Sequence, residues 1–170
     1  MSGPAEPRIR REFPHAVEVR DNLPIVLADG TILRACVWLP EGSDDAPVPA
    51  ILEYVPYRKG DSYAVDDSVR YPWFAGHGYA CVRVDIRGSG DSGGVLLDEY
   101  HPQEQLDCLE VLTWIAAQPW CTGSVGMMGI SWSGFNSLQV AAHRPPELKA
   151  IITCCSTDDR YADDVHYVGG

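Results

Sequence analysis

The sequence predicts an α/β fold: a mostly parallel sheet with helices on both faces. Three observations carry that expectation. From Ala50 onward, short apolar runs alternate with stretches of helical apolar spacing, the order that builds parallel sheets. Before them, two strand-like runs are joined by Ala28-Asp29-Gly30, a hairpin signal and therefore an antiparallel opening. Near the end, an apolar run passes through Ser131 directly into a helical pattern, which leaves no room for a loop. With 170 residues, 45% of them hydrophobic, the chain is one domain or part of one and can bury a real core.

Taken in order, residues 1–16 read as an N-terminal tail and 17–170 as the folded part. Val17–Leu27 and Thr31–Leu39 are the hairpin strands, and Gly42–Pro49 is a polar loop. Ala50–Val55 is a short apolar strand stopped by Pro56. Val65–Ala75 is a weak helix pattern interrupted by Pro72, and Tyr79–Ile86 is the next strand. Gln103–Ala117 places Leu106, Leu109, Leu112 and Ile115 at helical spacing, and Pro119 ends it. Ser124–Ile130 is a strand, Ser133–His143 a helix and Leu148–Cys154 a strand.

Composition excludes some classes of function. A net charge of −11 opposes binding to nucleic acid, whose phosphates need basic partners. The N-terminus lacks the apolar core of a signal peptide, and no stretch approaches the length of a membrane span. Of six cysteines, none forms a C-x-x-C pair, and Cys36, Cys81, Cys154 and Cys155 lie in apolar runs. Buried, reduced thiols and a cytoplasmic location are therefore expected, with no metal and no cofactor.

The most informative segment is Gly129-Ile130-Ser131-Trp132-Ser133-Gly134. A strand that turns sharply into a helix holds one serine in a strained conformation and lifts its hydroxyl above the sheet: a nucleophile elbow. The residues two before and two after must be small, because backbone and helix approach closely there. Gly129 and Ser133 satisfy this around Ser131, whereas a nucleophile at Ser133 would put Phe135 in the small position. The elbow selects the α/β-hydrolase fold from the doubly wound alternatives.

Segments around the elbow resemble the X-prolyl dipeptidyl-peptidase and cocaine-esterase family, the CocE/NonD hydrolases. They are Tyr54-Val55-Pro56-Tyr57-Arg58, the run Asp85–Gly94 (DIRGSGDSGG), Trp114–Trp120 leading to Gly123–Met127, and Asp159-Arg160-Tyr161 with His166–Gly170. The resemblance spans about residues 18–170. It implies a serine hydrolase that cleaves an ester or amide of a small molecule or peptide through an acyl-enzyme on Ser131. It further implies that the Tyr57 hydroxyl and the Trp132 backbone N–H bind the oxyanion. Many relatives carry Tyr where this chain has Trp132, and a bulky residue where it has Ser133. In the family the catalytic Asp and His follow the nucleophile on later strands, whereas this chain stops at Gly170, after its sixth strand. The expectation is an N-terminal portion that lacks the acid and the base and is open to self-association. A dienelactone-hydrolase-like or prolyl-oligopeptidase-like enzyme, and a non-catalytic scaffold retaining the fold, are the alternatives.

Five histidines could supply the base. His15 lies in the tail, His77 at the wrong end of the sheet and His101 in a loop. His143 is roughly 18 Å along the helix from Ser131, at about 1.5 Å per residue. His166, with Asp158 or Asp159 as its orienting acid, is the remaining in-chain candidate. Two motifs read as structural. Gly88-Ser89-Gly90-Asp91-Ser92-Gly93 matches G-x-G-x-x-G, but no helix begins within it and Asp91 would repel phosphate. Asp158, Asp159, Asp163, Asp164 and His166 lack diagnostic metal-ligand spacing.

Overall fold

The computed structural model describes residues 12–61 and 63–163. Strands β1 (Val17–Val26) and β2 (Ile32–Pro40) form the opening hairpin. Its turn closes with Leu27 N–H donating to the Thr31 carbonyl (2.9 Å) and Asp29 accepting from Thr31 N–H (2.8 Å). Strand β3 (Val48–Val55), helix α1 (Ala64–Ala75), strand β4 (Ala80–Asp85), helix α2 (Pro102–Ala116), strand β5 (Cys121–Ile130), helix α3 (Trp132–Ala142), strand β6 (Leu148–Cys154) and a short α4 (Arg160–Asp163) follow. The sheet order is β1-β2-β4-β3-β5-β6. The hairpin and the β2–β4 pair are antiparallel, and all pairs from β4 to β6 are parallel.

Side-chain alternation along the strands assigns the two faces. Leu33, Val37, Leu52, Val82 and Val84 pack with Val111, Leu112 and Ile115 of α2 and Val140 of α3 in the larger core. Cys36, Trp38 and Cys81 point the other way and meet Tyr71 and Ala75 of α1. Helices therefore cover both faces, as the α/β-hydrolase reading requires.

Several local expectations change. Helix α1 continues through Pro72. A proline inside a helix costs about 3 kcal/mol, and the complete burial of Tyr71 and Ala75 on either side of it offsets that cost. Pro102 opens α2 as its first residue, a position where its missing N–H has no intrahelical partner anyway. The core face of α2 runs through Cys108, Val111, Leu112 and Ile115, while Leu106 is half exposed. Strands β3 and β5 start at Val48 and Cys121, a few residues before their apolar runs. There Val48 N–H donates to the Trp120 carbonyl (3.0 Å), so tertiary pairing extends both strands.

The thiols also divide differently from the sequence pattern. Cys36, Cys81, Cys108 and Cys121 are buried, but Cys154 and Cys155 are exposed. Among the described residues β6 pairs on one side only. The apolar run Leu148–Cys154 is a sheet edge there, with Ile152 67% exposed.

Candidate active site

The parallel strands β3, β4 and β5 end at one edge of the sheet, and their C-terminal loops build the site. Strand β5 ends at Ile130, α3 begins at Trp132, and Ser131 alone makes the turn with φ 58° and ψ −118°. A non-glycine residue held there costs about 1–3 kcal/mol and persists only where its surroundings over-determine it. Here Ser131 N–H donates to the Cys154 carbonyl at the end of β6 (2.9 Å), and the Ser131 carbonyl accepts from Phe135 N–H in the first turn of α3 (2.9 Å). Gly129 is packed against Ser133 so closely that a Cβ would collide with its side chain and backbone. A Cβ on Gly134 would lie 2.7 Å from Ser156 Oγ. Gly129→Ala is therefore expected to destabilise the fold by about 1–3 kcal/mol through overpacking. Thermal unfolding checks this, and an unchanged midpoint would contradict the tight turn.

Tyr57 stands two residues beyond β3, and its phenol lies beside the Ser131 side chain. Its ring stacks on Tyr63 at 5.1 Å between centroids and meets Trp132 edge-on at 6.4 Å. Burial raises the phenol pKa, with the neighbouring Ser131 hydroxyl opposing the shift, so the phenol keeps its proton near neutral pH and can donate. Trp132 N–H is the first of α3 and has no intrahelical acceptor. Serine hydroxyl, phenol and free amide thus converge at one helix N-terminus.

The Trp132 indole does not swing freely. Its Nε1–H donates to Glu104 Oε1 of α2 (2.7 Å), while Glu104 Oε2 accepts from Tyr100 N–H (3.0 Å). Burial raises the Glu104 pKa, and the Trp132 hydrogen bond opposes the shift. Tyr100 packs on Trp132 and Phe135 (5.3 and 5.1 Å), and Arg160 lies over the Tyr100 ring (4.4 Å). An aromatic wall therefore stands beside Ser131.

The glycine loop after β4 acts as a brace. Gly88 N–H donates to the Gly93 carbonyl and Gly93 N–H to the Ile32 carbonyl (2.9 and 2.8 Å). A Cβ on Gly88 would strike the backbone of Val95 and Leu96. Asp85, fully buried, accepts from Lys59 N–H (2.6 Å) and Asp91 N–H (3.0 Å), while Lys59 Nζ donates to Asp91 (2.5 Å). This lattice ties the loop that carries Tyr57 to the loop after β4. Asp91 is paired with Lys59, and no helix begins between Gly88 and Pro102, so the loop lacks the helix N-terminus that a dinucleotide site uses.

The histidines do not join the site among the described residues. His15 N–H bonds the Gly76 carbonyl, His77 Nδ1 pairs with the Trp73 carbonyl, and His101 caps α2. His143 Nε2 faces Gln105 Oε1 (3.0 Å) at the far end of α3. His166 lies outside the described residues, as does Asp164. Asp159 and Asp163 bond the local turn, accepting from Ala162 N–H and Thr157 Oγ1 (both 3.1 Å).

A family model described as X-Pro dipeptidyl-peptidase (S15 family) matches residues 29–170. The chain belongs to this family. Among relatives of this S15 chain, a putative serine esterase from Mycobacterium bovis is 32% identical over 162 residues, covering 86% of this chain and 26% of that protein. A cocaine esterase from Rhodococcus sp. is 34% identical over 153 residues, covering 89% and 26%. The crystal structure of a CocE/NonD family hydrolase from Staphylococcus aureus aligns with a TM-score of 0.68 at 26% identity, over 78% of this chain and 26% of that one. The chain spans about a quarter of the length of these curated relatives. The S15 match includes Tyr57, the glycine loop and the elbow.

The functional candidates that sequence reasoning passed over are Glu53, Asp85 and Glu104. Each is a buried carboxylate, Glu53 and Asp85 on mostly apolar strands and Glu104 on the polar first turn of α2. That signal was visible in Leu52-Glu53-Tyr54 and Val82-Arg83-Val84-Asp85.

Proposed function

We propose that this S15 chain is the nucleophile-bearing portion of a serine hydrolase that cleaves an ester or amide through an acyl-enzyme on Ser131. The observation that carries the proposal is the strained Ser131 in the turn between β5 and α3, with the Tyr57 phenol beside it. Ser131 Oγ attacks the acyl carbon as a base takes its proton. The carbonyl oxygen becomes an oxyanion, met by Tyr57 O–H and Trp132 N–H. Collapse expels the alcohol or amine, which takes the proton from the base. Water, activated by the same base, then releases the acid and restores Ser131.

The base and its orienting acid are assigned to the longer protein, outside this chain. The positions of His15, His77, His101 and His143 away from Ser131 support that assignment, as does the roughly fourfold greater length of the relatives. The four buried free thiols support a cytoplasmic setting. The names of the curated relatives favour an ester as the substrate and the family description favours an X-Pro peptide. Comparing p-nitrophenyl acetate with an X-Pro p-nitroanilide on the full-length protein decides between them, and turnover of neither would count against the hydrolase.

The 170-residue chain alone is expected to leave p-nitrophenyl acetate hydrolysis at background and to self-associate. An unpaired apolar edge such as β6 is a template for pairing with another chain. An apolar groove of about 540 Å³, lined by Ile51, Phe74, Met128 and Ile152, opens beside it. Light scattering checks this, with Ile152→Lys expected to reduce the association. A clean monomer with Ser131-dependent turnover would contradict both halves and bring His166 forward as the base.

A further inference from the structure

The elbow is held from behind by a buried carboxylate that the reaction itself does not use. Ser133, 1% exposed, accepts from the turn amide Ile130 N–H through its Oγ (3.0 Å). Its hydroxyl proton points to Glu53 Oε1 (3.3 Å) or back to the Ile130 carbonyl (3.2 Å). Glu53 sits on β3 and is 7% exposed. Its other oxygen, Oε2, accepts from Arg70 Nη1 (3.0 Å) and from the Tyr71 hydroxyl, both on α1. Arg83 Nη1 on β4 lies 3.7 Å from Oε1, and Arg83 Nε lies 3.3 Å from Asp67 on α1. Glu53 and Arg83 are direct neighbours in the parallel β3–β4 register. One carboxylate therefore ties two strands, a helix and the turn that carries Ser131.

Charged groups placed this deep are costly, and replacing such clusters with apolar residues is often neutral or stabilising. Bulk stability is thus a poor account of them. What the cluster does touch is the turn amide immediately before Ser131. The strain at Ser131 needs fixed surroundings, and Ser133 Oγ can hold Ile130 N–H only in one rotamer. Glu53 favours that rotamer by accepting the hydroxyl proton, and Arg70, Tyr71 and Arg83 hold Glu53 in turn.

We propose that Glu53 is a positioning residue for the nucleophile, acting through Ser133 to fix the turn that carries Ser131. The role rests on Ser131 being the nucleophile. Loss of the link leaves the serine present but less well aimed, which lowers the rate of attack more than it weakens substrate binding.

The test uses the full-length protein. Active sites are titrated with a fluorophosphonate, and kcat per titrated site is measured with p-nitrophenyl acetate. Ser133→Ala and Glu53→Gln are each expected to lower kcat per site by roughly 10-fold, with KM within about twofold. In the Ser133→Ala background, Glu53→Gln is expected to add no further loss, because its route to the elbow is already cut. A purely structural role would lower the unfolding midpoint and the titratable fraction but leave kcat per site at the wild-type value, and that result overturns the proposal. Additive losses in the double variant overturn it as well. Should Glu53→Gln fail to fold, Tyr71→Phe, which removes a donor from the same carboxylate, takes its place in the cycle. Ser131→Ala separates the two levels. If it abolishes titration while Ser133→Ala keeps wild-type kcat per site, the positioning role alone falls. If Ser131→Ala still titrates, the nucleophile assignment fails and the positioning role with it.

Discussion

Ser131→Ala is expected to abolish fluorophosphonate labelling of the full-length protein and to lower ester turnover by on the order of 10⁴-fold or more, the scale seen when a triad nucleophile is removed. The expectation follows from backbone geometry. Ser131 alone occupies the turn between β5 and α3, at φ 58°. Neighbouring hydroxyls do not share that position: Ser133 is buried behind the turn against Gly129 and Glu53, out of reach of a substrate. The variant should keep its fold, since alanine removes only an oxygen, and relief of the hydroxyl's constraints costs little. Circular dichroism together with labelling checks both parts. Labelling that persists in the folded variant would remove Ser131 from the mechanism.

Tyr57→Phe is expected to lower kcat by roughly 10²–10³, the loss typical of one oxyanion donor, with little change in KM. The phenol meets the hydroxyl of Ser131, and its ring is fixed between Tyr63 and Trp132, so phenylalanine keeps the packing and removes only the donor. The raised pKa of Tyr57 adds a further expectation. A phenol whose pKa is pushed above its ordinary value stays protonated throughout the neutral range, so the deficit of Tyr57→Phe should be constant across it. Wild-type kcat in the variant would show that the oxyanion has other donors. A deficit that disappears at high pH within that range would show that Tyr57 acts in its ionised form.

Local signals carried far into both fold and site because they depend on chemistry over a few residues. The near-continuous apolar runs of β2 and β4 report strands buried on both faces, and the small residues around Ser131 report a close approach that any larger residue would prevent. Where helices and strands begin was less legible. Pro72 reads as a break until Tyr71 and Ala75 find the pocket made by Trp38 and Cys81, and a tertiary contact of that kind has no local signature. The thiols show the same limit. Cys81 and Cys154 lie in equally apolar runs, yet one is central and the other on an edge, because burial depends on strand order.

By itself, then, the sequence determined the alternating α/β architecture, the opening hairpin, the elbow at Ser131 and the segment that carries Tyr57. Each is written in residues that are adjacent or a few positions apart. Only the tertiary structure decided what meets Ser131 from elsewhere in the chain. Tyr57 reaches it from 74 positions earlier, Cys154 holds its amide from the next strand, and Glu53 stands behind Ser133 across 80 positions. Those meetings depend on β3 lying beside β5 in parallel register. Strand order is set by the packing of the whole sheet, and no spacing along the chain encodes it.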